Sequence, residues 1–541
     1  MNLERWKSIL IEKKDQIEQT LNRHRLFDVN YGTSGFRAKS IFLDKIVLKT
    51  TLFQFHHSVI ANNKAVGLMI TASHNPAEDN GIKLSDPFGF PLKESLEMAV
   101  AEFCSSKNDR QIIKLLTEKQ IVTSLKSDEP VSKSGEKPVL FIGRDSRDHS
   151  DHFSSLIAKF VNIFGDQIAF KNFGYTSSPQ LFGLVGYFNL KNTRISDFSP
   201  EIYLDNICHF FTKLSKTVKA LLQSNYDDSF LKSISVDCSN GIGSLLLNYI
   251  DNKICQSGIF KINCFNSFRE GTINKNCGAE FLRKKMAPTN SKFDVLLASL
   301  DGDADRILFY KLSSSNELIL LNGDRILVLF VKFLKLLVST AKNFFDENNF
   351  TFKAVITAYT NGNCVRYLHS IGVETALSAT GVKNLHPLAA GADIGVYFET
   401  NGHGTVLFSD RLISQIEKKL EKSAKNEPEG LALQSILLLQ KLANQNYADA
   451  VGTLMAAQII FNAMRLKPEA VLGLYENLPS REMAIKVKDN KLIKRISKDE
   501  SRILDPEELQ KKIDFVVSKY KGGRCFVRPS GTEVGNFIFR I

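Results

Sequence analysis

The sequence Asp301-Gly302-Asp303-Ala304-Asp305 places three carboxylates at alternate positions of one short loop, directly after an apolar segment at 295–300. Carboxylates this close repel one another unless a cation lies among them. Divalent ions such as Mg²⁺ prefer oxygen ligands, and Mg²⁺ keeps coordination positions open for a phosphate. A calcium EF-hand loop is disfavoured, because its twelfth position would be Leu312 instead of a glutamate. The loop therefore predicts a magnesium site, with an acidic turn exposed to solvent as the alternative.

A second loop, Thr71-Ala72-Ser73-His74-Asn75-Pro76, follows the apolar segment 65–70. Ser, His and Asn at the end of a strand could display a reactive hydroxyl. A Ser/His/Asp hydrolase is disfavoured, because no Gly-x-Ser-x-Gly sequence surrounds Ser73. Taken alone, the hexapeptide is also typical of a polar turn that ends at Pro76.

Three further loops combine residue types that bind phosphates or sugars. Gly32-Thr33-Ser34-Gly35-Phe36-Arg37 and Arg528-Pro529-Ser530-Gly531-Thr532 each join an arginine to small hydroxyl residues and glycine. An arginine fork, exposed N–H groups and hydroxyls together satisfy the oxygens of a phosphate. Glu399-Thr400-Asn401-Gly402-His403-Gly404 joins a carboxylate to an amide, which can hold the vicinal hydroxyls of a sugar. Each of these loops alone is also typical of an ordinary turn.

The elements that must position these loops alternate along the chain. Short apolar segments at 138–142, 234–236 and 354–356 end in polar loops, and helical periodicity lies between them at 326–337 and 448–464. This alternation predicts an α/β fold with largely parallel sheets, whose ligands lie at the carboxyl ends of the strands. A chain of 541 residues is long enough for about three to five domains. We expect 467–541 to form a small α+β domain and the polar stretch 105–138 to lie on the surface.

The composition excludes several classes of protein. Hydrophobic residues make up 43% of the chain and charged residues 24%, as in globular proteins. The net charge of +12 is spread along the chain without a basic stripe interleaved with aromatics, so we expect no nucleic-acid partner. The longest apolar segment, 326–338, is interrupted by lysines and too short to span a bilayer, so no membrane partner is expected. Eight scattered cysteines without a Cys-x-x-Cys pair, and an N-terminus unlike a secretory signal, predict a cytoplasmic protein.

Together and in this order, the five loops resemble those of the α-D-phosphohexomutase superfamily, and the resemblance extends from Gly32 to Glu533. It implies the four-domain phosphohexomutase architecture: three related α/β domains and a C-terminal α+β phosphate-binding domain around a central cleft. The expected domains are residues 1–190 with the phosphoserine loop, 191–310 with the metal loop, 311–465 with the sugar loop and 466–541 with the phosphate loop.

The resemblance also implies roles for individual residues. Ser73 is expected to carry the transferable phosphoryl group, whose oxygen completes an Mg²⁺ site with Asp301, Asp303 and Asp305. Lys83 is the expected general acid/base, with Arg37 and His74 beside the phosphoryl group. The residues expected to bind substrate are Arg306, Thr380, Gly381, Lys383, Glu399, Asn401, Gly402 and His403. Those expected to hold the non-reacting phosphate are Arg528, Ser530, Gly531 and Thr532.

The Glu-x-Asn-Gly-His-Gly loop is similar to that of superfamily members acting on N-acetylglucosamine phosphates, as are residues 276–279 and 474–479. We therefore expect interconversion of the 6-phosphate and the 1-phosphate through a bisphosphate, with Mg²⁺ and a sugar 1,6-bisphosphate activator. A mutase of glucose or mannose phosphates is one alternative. A non-catalytic sugar-phosphate binder is another, motivated by Phe537, which stands where the superfamily has an arginine. The expected partner is a small phosphosugar, and the expected state is a monomer or weak homodimer.

Overall fold

The N-terminal part of the chain forms a mixed sheet between two layers of helices. The computed structural model describes residues 1–32, 35–117, 136–191, 194–254, 258–422, 426–486, 492–529 and 536–540. Along the central strand Ala65–Ile70 every residue is buried, and alternate side chains enter two different apolar clusters, as the pleat requires. The helix Asp44–Ile60 contributes to one cluster and Ser178–Lys191 to the other. The strands lie in the order Tyr31–Gly32, Gly35–Lys39, Asp79–Ser85, Ala65–Ile70, Val139–Arg144, Ala169–Tyr175.

The second and third sheets share one apolar core. It runs from Leu204 to Tyr475 and includes the helices Glu201–Leu222 and Pro428–Leu442, which pack against each other. The second sheet has the order Leu318–Leu321, Ile307–Leu312, Leu296–Leu300, Ser233–Asp237, Lys261–Phe265. The third has the order Glu374–Ser378, Phe352–Thr357, Ile394–Phe398, Gly404–Phe408. Because the core is continuous, these two parts of the chain are held together by burial of apolar surface.

Each of these three sheets contains both parallel and antiparallel strand pairs. In each sheet, one antiparallel pair is joined by a loop that was predicted to belong to the functional site. The strand Ala65–Ile70 returns as Asp79–Ser85, Leu296–Leu300 returns as Ile307–Leu312, and Ile394–Phe398 returns as Gly404–Phe408. The connections in between are the predicted serine loop, metal loop and sugar loop. The expectation of largely parallel sheets is therefore wrong at these strands. A hairpin return explains the difference, since a short connection joins antiparallel neighbours whereas a parallel return needs a long crossover.

The C-terminal part of the chain is α+β, as predicted. In the described residues it has a three-stranded sheet in the order Glu482–Lys486, Asn536–Arg540, Phe526–Pro529, and a two-stranded sheet of Arg495–Ile496 and Ile503–Asp505. The helix Glu507–Val517 packs against Ile503–Asp505. This part lies against the third sheet, since Arg524 Nη2 donates to Thr360 O at 2.7 Å.

Helices separate many of the strands, but the four helices between Asp410 and Leu472 follow one another without a strand among the described residues. The α-helices of the described residues are Leu3–Glu12, Lys14–Asn22, Asp44–Ile60, Glu94–Ser105, Ile112–Thr117, Asp148–Val161, Ser178–Lys191, Glu201–Leu222, Gly243–Ile254, Ala279–Arg283, Gly323–Thr340, Lys342–Asn348, Gly362–Ser370, Val382–Ala390, Asp410–Lys422, Pro428–Leu442, Ala450–Met464, Pro468–Leu472 and Glu507–Val517. Among them we find none that is long and apolar enough to cross a membrane. The predicted α/β class is confirmed.

The chain departs from two expectations about its organisation. The boundary expected between 310 and 311 falls inside the strand Ile307–Leu312, which pairs with Leu318–Leu321 and so extends the second sheet to Leu321. The other domain boundaries stay predictions. Residues 105–117 lie only partly on the surface, because Ile112 and Leu116 are buried in the apolar cluster to which the helix Asp44–Ile60 contributes. The remainder of that polar stretch, 118–135, lies outside the described residues.

Candidate active site

The serine loop of the first sheet meets the metal loop of the second. Ser73 Oγ donates to Asp301 Oδ2 at 2.6 Å, and Ser73 is only 1% exposed. The backbone of Ser73 is left-handed, with φ +54°, and its N–H donates to Thr71 Oγ1 at 2.8 Å. The structure thus brings the predicted nucleophile onto the predicted metal ligands, although they are far apart in the sequence.

The acidic loop forms a buried cluster that fits a divalent cation. Asp301, Asp303 and Asp305 are all buried, and one carboxylate oxygen from each lies within 4.8 Å of the others. Asp303 Oδ1 and Asp305 Oδ1 have no hydrogen-bond partner within the part of the chain that the structure describes. Burial, together with the charges of Asp305 and Asp303, raises the pKa of Asp301. Unpartnered carboxylate oxygens in such a place match the oxygen ligands that Mg²⁺ takes.

Lys83, on the strand Asp79–Ser85, supplies a cation to the same cluster. Its Nζ donates to Asp303 Oδ2 at 2.6 Å, to Asp305 Oδ2 at 2.7 Å and to Ser178 Oγ at 3.1 Å. Burial opposes the charge on this ammonium, but the carboxylates of Asp303 and Asp305 outweigh it and raise the pKa of Lys83. Lys83 is thus a charged donor at the metal loop.

Arg37, His74 and Arg306 lie beside the cluster and line a cleft of about 1520 Å³. Arg306 Nε lies 3.7 Å from Asp301 Oδ2, yet neither it nor Arg37 Nε has a hydrogen-bond partner among the described residues. Burial, and then the charges of Arg306 and Arg37, hold the pKa of His74 well below its usual range, so its imidazole is neutral. The donors of these side chains suit an anion such as a phosphoryl group.

The sugar loop of the third sheet contacts the metal loop directly. His403 Nδ1 donates to Asp305 O at 2.8 Å, and the N–H of His403 donates to Asn401 Oδ1 at 3.0 Å. Glu399 Oε1 accepts from the N–H of Gly381 at 3.0 Å. Because the same loop lines the cleft, the groups predicted to bind sugar have a defined position relative to the three aspartates.

Gly402 permits the sugar loop to approach the strand that follows the metal loop. It has φ +84°, and any Cβ there would lie 1.9 Å from Ile307 O. We expect Gly402→Ala to lower the free energy of unfolding by at least about 2 kcal/mol, since both the clash and the left-handed backbone disfavour a side chain. Urea denaturation measures this loss. The matched control is Gly391→Ala, where the nearest atom would be 3.4 Å away and a change within about 1 kcal/mol is expected. Equal losses in both variants would contradict the argument.

Two other residues predicted to bind substrate, Thr380 and Lys383, lie at the cleft and form hydrogen bonds with glutamates. Thr380 N donates to Glu500 Oε2 at 3.0 Å, and Lys383 Nζ donates to Glu97 Oε2 at 2.6 Å. Lys383 therefore joins the helix Val382–Ala390 to the helix Glu94–Ser105 in this structure, and it also lines the cleft.

Arg528 brings the C-terminal part of the chain to the cleft. Its Nε donates to Tyr359 Oη at 3.1 Å and lies 3.6 Å from Glu500 Oε2. Ser530, Gly531 and Thr532 lie outside the described residues, so their expected role is untested. The backbone of Phe537 pairs with Pro529 in the three-stranded sheet.

Four residues of the site were missed in the sequence. Ser178 Oγ donates to Asp303, and Tyr447 Oη donates to Asp305 Oδ2 at 3.3 Å. Arg147 and Asn274 both donate to Ser73 O in the serine loop. The position of Arg147, in a polar loop that follows a predicted strand, could have indicated a functional role. Nothing in the local sequence distinguishes the other three residues.

Comparison with known proteins identifies the family. A family model described as phosphoacetylglucosamine mutase AMG1, domain III, matches residues 322–466, and one described as phosphoglucomutase/phosphomannomutase, alpha/beta/alpha domain I, matches residues 35–111. Phosphoacetylglucosamine mutase 1 of Schizosaccharomyces pombe is 33% identical over 93% of this chain and 93% of its own length. The chain belongs to the phosphoacetylglucosamine mutase family.

Solved structures agree with membership of the phosphoacetylglucosamine mutase family. An N-acetylglucosamine-phosphate mutase of the α-D-phosphohexomutase superfamily, in its substrate complex, has a TM-score of 0.85 at 28% identity, covering 98% of this chain and 96% of that one. The Aspergillus fumigatus N-acetylphosphoglucosamine mutase with GlcNAc-6P and magnesium has a TM-score of 0.83 at 28% identity, covering 97% and 95%. A variant of that enzyme in which one serine is replaced by alanine has also been solved with glucose 1,6-bisphosphate. The predicted superfamily and its acetylglucosamine branch are confirmed.

Proposed function

We propose that this protein interconverts N-acetylglucosamine 6-phosphate and N-acetylglucosamine 1-phosphate through a phosphoserine at Ser73 and a bisphosphate intermediate. The observation that carries the proposal is the 2.6 Å contact of Ser73 Oγ with Asp301 inside a buried triplet of aspartates that opens on a cleft. A sugar 1,6-bisphosphate would prime the enzyme by phosphorylating Ser73. The product would feed the synthesis of UDP-N-acetylglucosamine.

In the transfer step the bond between Ser73 Oγ and phosphorus breaks while the free sugar hydroxyl forms a new bond to phosphorus. As the acid/base proposed for this step, Lys83 would give its ammonium proton to Ser73 Oγ and take the proton of the sugar hydroxyl. Arg37 and His74, which line the cleft, would donate to the phosphoryl oxygens. Mg²⁺ held by Asp301, Asp303 and Asp305 would supply positive charge to those oxygens. The bisphosphate then turns in the cleft and returns its other phosphate to Ser73.

Substrate is proposed to bind between the sugar loop and the C-terminal domain. Glu399, Asn401 and His403 would face the sugar, while Arg528 with Ser530, Gly531 and Thr532 would hold the phosphate that does not react. A phosphosugar needs cationic groups that bind its phosphate and acceptors for the hydrogen bonds of its hydroxyls. The cleft is lined by both arginines and carboxylates. Its volume of about 1520 Å³ leaves room for a bisphosphate to turn.

The proposal is tested by ³¹P NMR of the purified protein with N-acetylglucosamine 6-phosphate, Mg²⁺ and a catalytic amount of glucose 1,6-bisphosphate. Appearance of the 1-phosphate resonance is expected, and its absence would refute the function. A faster reaction with glucose 6-phosphate or mannose 6-phosphate would favour the alternative substrates. We further propose a cytoplasmic monomer or weak homodimer without nucleic-acid or membrane partners, which light scattering and cell fractionation can check.

Asn401 is proposed to select the N-acetyl group, because its amide lies beside Gly402 at the cleft. Asn401→Ser should lower the kcat/KM ratio of N-acetylglucosamine 6-phosphate to glucose 6-phosphate by about tenfold, the effect of one lost hydrogen bond of about 1.4 kcal/mol. Parallel assays with both sugars measure the ratio. The control is Asn384→Ser, another cleft residue, whose amide donates to Thr380 O at 2.9 Å. An unchanged ratio in Asn401→Ser would refute the assignment.

A further inference from the structure

Arg147 is a buried arginine to which the proposed reaction gives no role. It lies at the start of the helix Asp148–Val161 and is 1% exposed. Its Nη1 donates to Pro76 O at 2.5 Å and Asp79 O at 3.0 Å, and its Nη2 donates to Ser73 O at 3.0 Å and Asn75 O at 2.9 Å. Three carbonyls of the serine loop and one at the start of the next strand thus converge on one guanidinium. A lysine could not reproduce this, since it lacks the planar fork of donors.

The same arginine is tied to the backbone N–H of Ser73 through two side chains. Arg147 Nε donates to Asp145 Oδ2 at 3.1 Å, and that oxygen also accepts from Thr71 Oγ1 at 2.7 Å. Thr71 Oγ1 in turn accepts from the N–H of Ser73 at 2.8 Å. Both polar backbone groups of Ser73 therefore belong to one hydrogen-bonded network, whose members Thr71, Asp145 and Arg147 are buried.

A residue from the second domain holds the loop from the other side. Asn274 Nδ2 donates to Ser73 O at 2.8 Å and to Asn75 O at 2.9 Å. Because the metal loop also belongs to the second sheet, this contact sets the position of the serine relative to the aspartates. Ser73 O thus accepts from both Arg147 and Asn274.

Ser73 needs such support because its backbone is left-handed, at φ +54°. A residue other than glycine persists there only where its surroundings hold it, at a cost of about 1 kcal/mol or more. The orientation of Oγ toward Asp301 depends on that backbone. Phosphoryl transfer is sensitive to alignment, and a displacement of about 1 Å can lower the rate by about 10²-fold.

We propose that Arg147 is a positioning residue for phosphoryl transfer, which holds Ser73 at the metal loop without touching substrate. This inference rests on the proposed mutase function. Arg147→Lys should lower kcat by about 10²-fold and leave KM within about threefold, because the arginine touches the serine loop and none of the groups proposed to bind the sugar. Asn274→Ala, which removes two bonds to the same carbonyls without deleting a buried charge, should lower kcat by about tenfold.

The experiment combines steady-state kinetics with hydrogen exchange of residues 71–79, at a temperature where each variant is folded by circular dichroism. The matched control is Arg325→Lys, because Arg325 is 2% exposed and its guanidinium also donates to backbone carbonyls, those of Val471, Leu472 and Tyr475. Exchange in the serine loop should rise at least about tenfold in Arg147→Lys and Asn274→Ala and stay unchanged in Arg325→Lys.

The inference is overturned if both loop variants keep kcat within about threefold of the wild type, if their loss lies in KM instead of kcat, or if loop exchange does not change. It is supported if kcat falls and exchange rises in the loop variants alone. A wild-type protein without mutase activity would refute the proposed function, and the exchange measurement would then decide the role of Arg147 by itself.

Discussion

Replacement of Ser73 by alanine is expected to lower mutase turnover by at least about 10⁴-fold while leaving the protein folded. The hydroxyl oxygen of Ser73 is the atom proposed to carry the phosphoryl group. Among the described residues, no other serine donates a hydrogen bond to Asp301. After incubation with glucose 1,6-bisphosphate, intact-mass measurement should show one added phosphate on the wild type and none on the variant. The ³¹P assay described above measures turnover.

Ser299→Ala is the matched control for this loss. Ser299 is equally buried, and its Oγ donates to Asp237 Oδ2 at 2.6 Å, the same distance as between Ser73 and Asp301. Both variants lose one hydrogen bond to a buried carboxylate, so each should lose about 1–3 kcal/mol of stability. Only Ser73→Ala should lose the phosphate and the activity. A phosphorylated, active Ser73→Ala protein would show that another group carries the phosphoryl.

Asp303→Asn is expected to lower Mg²⁺ affinity by at least about tenfold and kcat by about 10³-fold. The substitution removes one charge from three carboxylates whose oxygens lie within 4.8 Å of one another. It also weakens the bond from Lys83 Nζ, which is 2.6 Å from Asp303 Oδ2. Calorimetric titration with Mg²⁺ alone measures the affinity. In the wild type, EDTA should abolish turnover and added Mg²⁺ should restore it.

The control for the metal site is Asp251→Asn. Asp251 is a buried aspartate on the helix Gly243–Ile254, and it accepts from the N–H of Ile262 at 2.8 Å, away from the cleft. Its replacement should lower stability but leave Mg²⁺ affinity unchanged. If Asp303→Asn bound Mg²⁺ as tightly as the wild type, the acidic triplet would not be the metal site.

Much of the local structure could be predicted from residue patterns. Apolar segments placed the strand Ala65–Ile70 at its observed bounds and the strand Leu296–Leu300 within one residue, because a strand buried on both faces is apolar at every position. The helix Gly323–Thr340 extends the predicted 326–337 by one turn or less at each end. The sheet topology was predicted less well, since an apolar segment is the same in a parallel and an antiparallel strand.

The sequence alone determined the chemistry of the five loops, because carboxylates, arginines and a serine bring their properties wherever they lie. The residue types alone indicated the metal triplet, and the resemblance to the superfamily added the expected nucleophile and the sugar class. Only the tertiary structure decided the contacts between loops: Lys83 on Asp303, His403 on Asp305, and Arg147 with Asn274 around Ser73. These partners are distant along the chain, and all of them except Arg147 and Ser73 come from different sheets. Their meeting depends on how the sheets pack, and no local pattern of residues records that.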